Sequence, residues 1–89
     1  NIYDQSTLEI KVREIYYHFL KHFNEYKSYH LSETPNKYLD LLLNSGYLND
    51  KKNNGKKLTN IYNKVRYKES ATENDLKKAK KSWEEINEN

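Results

Sequence analysis

The sequence predicts an all-α protein, a small bundle of about four helices packed around a core rich in Tyr and Leu. Three observations carry this prediction. Apolar residues recur at steps of three and four, and no stretch alternates as a strand does. Helix-start signals recur along the chain: Ser6 with Glu9, Thr34 with Pro35, and Thr72 with Asp75. The nine Tyr, two Phe and one Trp supply more aromatic surface than a disordered chain carries, and a Tyr ring can pack while its hydroxyl stays wet.

The first helix is expected from Ser6, whose hydroxyl and Glu9 form a capping-box pattern, to Tyr26 or Lys27. Leu8, Val12, Ile15, Tyr16, Phe19, Phe23 and Tyr26 give it one apolar stripe. The second starts at Thr34-Pro35, where a Pro suits the first helical position because its missing N–H has no intrahelical partner there. It runs through Tyr38, Leu39 and Leu41-Leu42-Leu43 to a stop at Gly46. Residues 47–56 read two ways. Asn53-Asn54-Gly55 signals a turn, favouring a loop and then a helix from about Lys56. Tyr47, Lys51, Asn54 and Leu58 are also helically spaced, which makes a longer helix the alternative. The third helix carries Leu58, Ile61, Tyr62 and Val65 and ends near Tyr67 to Glu69. The fourth starts at Thr72 and presents Leu76, Ala79, Trp83 and Ile86 on one side. Trp83 reads as core against the first helix, with a partner-binding anchor as the alternative. Lys77, Lys78, Lys80 and Lys81 fall on the outer side, with Glu84 and Glu85 four residues after the last two.

The chain of 89 residues makes one domain with a modest core. Residues 1–6 read as a linker from a parent chain and 7–89 as a single helical domain. There is no Met, even at position 1, so the expectation is a piece of a longer protein. The absence of Cys excludes disulfides and thiolate metal sites. No apolar run approaches the roughly 20 residues a membrane helix needs.

Catalytic patterns are missing. With Gly46 and Gly55 the only glycines, there is no phosphate loop, and no Ser–His–Asp constellation or Cys nucleophile stands out. His18 and His22 have the i, i+4 spacing of helical zinc ligands, but Phe19 stands where the H-E-x-x-H pattern needs Glu. His30 could join them only by folding back. The expectation is no enzyme, no metal and no cofactor.

Net charge is only +3, but it is unevenly spread. Lys51, Lys52, Lys56, Lys57, Lys64, Arg66 and Lys68 lie in a stretch without an acid, whereas every charge after Trp83 is acidic. A Lys-rich run is most simply a solvated face. Beyond that, the lysines are candidates for contact with anionic lipid headgroups or, as the rival, with nucleic acid. The rival is weakened because Arg, the preferred base reader, occurs in the stretch only as Arg66. Arg66 sits at the edge of the third helix's apolar face, where a guanidinium needs an acceptor. Glu33, just before Thr34-Pro35, is the well-placed acid, so Arg66 is expected to tie the third helix to that turn through Glu33 or nearby carbonyls.

The order Glu33-Thr34-Pro35 with Tyr38, then Leu58, Thr59, Tyr62, Arg66 and Tyr67, then Thr72 and Asp75, resembles the bacterial domain-of-unknown-function family 4129 from about Leu8 to Ile86. Lys68 stands where that family often has Gly after the Arg-Tyr pair, and the Asn/Lys-rich stretch from Asn49 to Lys57 also departs from it. The resemblance implies an all-α C-terminal domain of a membrane protein, following a transmembrane helix and facing the cytoplasm. Many such parents carry a transglutaminase-like domain elsewhere. No catalytic residue is implied in this chain. The reading is a non-catalytic accessory or interaction domain whose partner is another protein or a domain of the parent, beside an anionic membrane surface. The rival is a small nucleic-acid-binding module using residues 51–68.

Overall fold

The computed structural model describes residues 4–29, 33–67 and 69–88. They form α1 (Gln5–Phe23), α2 (Pro35–Asn44), a 3-10 turn (Asn49–Lys51), α3 (Lys52–Arg66) and α4 (Glu73–Ile86), with no strand among them. The all-α bundle is therefore the fold. α3 is its centre, packing against α1, α2 and α4, while α1 also packs against α4.

Asp4, rather than Ser6, opens α1. Its carboxylate accepts the Thr7 N–H at 2.8 Å, and that bond holds its pKa below the ordinary carboxylate value. Starting earlier also brings the Gln5 amide to the Ala71 carbonyl at 3.1 Å, tying the head of α1 to the segment before α4. At the other end α1 stops at Phe23, short of Tyr26. Asn24 competes for the backbone: its side-chain carbonyl accepts the Tyr29 N–H at 3.0 Å, while the Tyr26 and Lys27 N–H groups both turn back to the Phe23 carbonyl. Tyr26 thereby leaves the stripe and is exposed.

α2 begins as the sequence predicts, with Thr34 accepting the Lys37 N–H and Pro35 at the first helical position. It also ends as predicted. Gly46 has φ +77°, its N–H donates to Leu43, and the Tyr47 N–H donates to Leu42, which together make a Schellman cap. Tyr38 is fully buried, and its hydroxyl reaches the Lys27 carbonyl at 2.6 Å to pin the α1–α2 connection.

Within residues 47–56, the longer-helix alternative holds only from Lys52 onward, after the 3-10 turn at Asn49–Lys51. Asn53-Asn54-Gly55 is helix, not turn. Gly55 is used for closeness: a Cβ there would meet Leu48 Cδ1 at 2.8 Å and Leu39 Cδ1 at 3.4 Å. Asn54 is held too, donating to the Glu85 carboxylate of α4 at 2.6 Å. Leu48, buried where the chain turns, fills the space a side chain at 55 would take.

The core joins Leu8, Val12, Tyr16, Phe19 and Phe23 of α1 to Leu58, Ile61 and Val65 of α3 and to Leu76, Ala79 and Ile86 of α4. Tyr16 and Tyr62 stack face to face, centroids 4.0 Å apart and 6° from parallel, joining α1 to α3. The Tyr16 ring is almost wholly buried and its hydroxyl has no hydrogen-bond partner, so burial pushes its pKa far above the ordinary phenol value. Trp83 is half-buried against this core, edge-on to His22 of α1 at 5.6 Å.

Two stability measurements follow from this packing. Gly55→Ala should lower unfolding free energy by about 1 kcal/mol, an overpacking cost of about 2 set against a helix-propensity gain of about 1. In a Leu48→Val background, which lacks the offending Cδ1, the same substitution should become stabilising. Tyr16→Phe keeps the ring and removes the orphaned hydroxyl, so urea unfolding should show a gain of up to about 1 kcal/mol rather than a loss.

Candidate functional site

The motif residues separate into caps, core and surface. Thr34 and Pro35 cap α2, and Thr72 with Asp75 forms a complete capping box on α4: the Asp75 N–H donates to Thr72 Oγ1 at 3.0 Å and the Thr72 N–H to Asp75 Oδ2 at 3.0 Å. Leu58, Thr59 and Tyr38 are fully buried, and Thr59 Oγ1 joins the Tyr16 hydroxyl as a buried group without a partner. Burial pushes the Tyr38 phenol up to about 12, with the nearby Glu33 charge adding to the shift.

Arg66 does not clasp Glu33: no ion pair joins the two among the described residues. It is the last residue of α3 and is exposed, with its guanidinium over the Tyr67 ring, 5.5 Å from the centroid. The cation keeps its hydration and gains a ring face, which a buried pair would not allow. The link between α3 and the start of α2 is instead Asn63 to Asn36, Nδ2 to Oδ1 at 3.1 Å. Nothing in the spacing singled out that pair, because both Asn residues sit outside the apolar stripes.

The basic stretch divides in the same way. Lys64 donates to Asp75 Oδ2 at 2.7 Å, and Lys51 stands 3.8 Å from Glu88. Lys52, Lys56 and Lys57 are exposed, and Lys68 lies outside the described residues. Lys57 gains neighbours that the linear sequence did not suggest. With Lys78 and Lys81 of α4 it lines a groove of about 160 Å³ between α3 and α4, floored by Ser82 and edged by Asn54 and Glu85. Glu85 is turned to Asn54 rather than to Lys81, so the i, i+4 pair expected there is not made. The chemistry of the groove is that of an anion-facing surface, with three ammonium groups and one engaged carboxylate.

His22 is half-buried, its ring against Phe23, Tyr26 and Trp83, whereas His18 is exposed beside Tyr17; His30 lies outside the described residues. Among the described residues no group of three His, Cys, Asp or Glu side chains is placed to hold a metal, and no helix is long and apolar enough to cross a membrane. Ile10 and Tyr17 are exposed on the outer face of α1, flanked by Arg13 and Glu14.

Comparison of the chain with models of protein families, with curated proteins and with solved structures finds no match.

Asp75 is the site residue whose charge bears on stability. Desolvation raises its pKa, but hydrogen bonds from Lys64 and Thr72 outweigh it, so the folded value lies below the ordinary carboxylate value. Its contribution is therefore full above that pH and is lost as pH falls through the folded value. Asp75→Asn should cost about 1 kcal/mol near neutrality, and the gap from wild type should narrow as pH falls below the ordinary carboxylate range, as read by urea unfolding at neutral and acid pH.

Proposed function

We propose that this chain is a non-catalytic accessory domain that sets its α3–α4 face against an anionic surface, in the first instance the inner leaflet of a bacterial membrane. The observation that carries the reading is the meeting of Lys57, Lys78 and Lys81 in one groove while Lys64 is neutralised by Asp75. An array of ammonium groups on a folded face suits a layer of headgroups, where each lysine near the surface adds about 1 kcal/mol. Nucleic acid is the weaker fit. Base stacking needs free aromatic faces beside the lysines, and none of Lys57, Lys78 and Lys81 shares its groove with an aromatic ring, while Tyr62 is stacked on Tyr16. The ordered motif from Glu33 to Asp75 supports the family 4129 reading. On that reading the domain is the cytoplasmic C-terminal part of a multi-pass parent with a transglutaminase-like domain, tethered by the parent chain and working through a protein partner or another parent domain.

Sedimentation with phosphatidylglycerol-containing vesicles should recover the protein at low salt, and phosphatidylcholine vesicles should not. Replacing Lys57, Lys78 and Lys81 together by Gln should weaken vesicle binding by about 100-fold. Duplex DNA bound more tightly than the vesicles would transfer the groove to the nucleic-acid reading, and equal vesicle binding by the triple variant would remove the groove from either role.

A further inference from the structure

A second concave site opens at the end of the bundle where α1, α2 and α4 all finish. Phe23 and Ile86, the last residues of α1 and α4, line it together with Gly46 of the α2 cap, and its volume is about 340 Å³. Helix C-termini carry partial negative charge, and three of them border the cleft against one N-terminus, that of α3 at Lys51. Two carboxylates reinforce this, Asp50 from the 3-10 turn and Glu88 from the residues after α4.

The same cleft holds aromatic surface the core did not take. Tyr26 and Tyr47 are both exposed, with ring centroids 5.6 Å apart, and the Tyr47 hydroxyl donates to the Tyr26 carbonyl at 3.3 Å, which fixes the pair. Asn49 adopts φ +52° between Tyr47 and Asp50, and so shapes the turn that presents both side chains. One cation already stands there. Lys51, the last residue of the 3-10 turn, lies 3.8 Å from Glu88, beyond hydrogen-bonding distance, and Glu88 is 72% exposed. That loose pair is easily exchanged.

We infer that this cleft binds an arginine side chain presented by a peptide segment of a partner protein. A guanidinium is weakly hydrated and planar, stacks on tyrosine faces, and forks onto a carboxylate, so it uses every feature of the cleft at once. An ammonium would use the charge but stack less well. Lys51 acts as a resident competitor for Glu88. The site is separate from the lysine groove and of opposite sign, so it stands whether or not that groove meets a membrane.

The probe is N-acetyl-arginine methylamide, with its neutral citrulline counterpart as control, followed by amide chemical shifts and by fluorescence of Trp83, whose ring touches His22 on the cleft wall. Saturable shifts at Tyr47, Asn49 and Asp50 are expected, with half-saturation in the range of about 1–10 mM for one side chain, and none with citrulline. Asp50→Asn combined with Glu88→Gln should raise half-saturation about tenfold, and Lys51→Gln should lower it about threefold by removing the competitor. Equal shifts from citrulline, shifts mapping elsewhere, or unchanged binding in the carboxamide variant would each overturn the assignment. Weaker binding by Lys51→Gln would overturn the competitor role. Should the carboxamide variant lose its helical circular dichroism, the arginine–citrulline comparison on the unaltered protein decides alone.

Discussion

The close approach of α3 to the turn before it, at Gly55 against Leu48, governs where everything else in the molecule can sit. α3 touches every other helix, so its path is shared by the whole bundle. With Gly at 55, the Leu48 side chain fills the space where a Cβ would stand, and Leu39 of α2 closes over the same spot. That contact sets the spacing of α2 and α3. Three residues after Leu58 and one helical turn before Arg66, Ile61 and Tyr62 then face α1, where the Tyr16–Tyr62 stack joins the two helices. The lysine groove follows from the same placement, because Lys57 lies two residues beyond Gly55 and meets α4 only where α3 runs at this distance.

The Tyr-rich composition shapes the core in a way Leu alone would not. Tyr38 spends its hydroxyl on the Lys27 carbonyl and so fastens a connection as well as filling space. Tyr16 has no such outlet and keeps an unpaired hydroxyl inside the bundle, where the stacking surface it shares with Tyr62 offsets the loss. Tyr26, left out of the core by the early end of α1, and Tyr47, just after the α2 cap, become the walls of the end cleft.

Most of the fold was legible because its signals are local. Thr34-Pro35, the Gly46 stop, the Thr72–Asp75 box and the stripes of α1 and α4 each depend on residues within one or two turns. Several of the misreadings turn on a partner distant in sequence. Gly55 looks like a turn until Leu48 and Leu39 are beside it. Ser6 loses the cap to Asp4, which sits two residues earlier and lets Gln5 reach Ala71, sixty-six positions away. Arg66 reads as tied to Glu33 or nearby carbonyls because a guanidinium seeks an acceptor, yet the side-chain hydrogen bond between α3 and α2 joins two neutral amides, Asn63 and Asn36. The candidate surface was half legible for the same reason. The lysines of 51–68 were visible as a run, but which of them stay available is decided by Asp75 and Glu88, and their companions Lys78 and Lys81 come from another helix.

The Asn54-Gly55 pair carries a further consequence, for chemical ageing. In a pliable chain this dipeptide is prone to cyclise through attack of the glycine nitrogen on the asparagine amide, which releases ammonia and forms a succinimide that water then opens to a new carboxylate. Here helical backbone holds the attacking atom out of line, and the carboxamide is engaged by Glu85. The bundle thus shields its own weakest covalent point. Any time the chain spends unfolded would be recorded there as a slow, irreversible gain of negative charge beside the one glycine whose neighbours leave it no room.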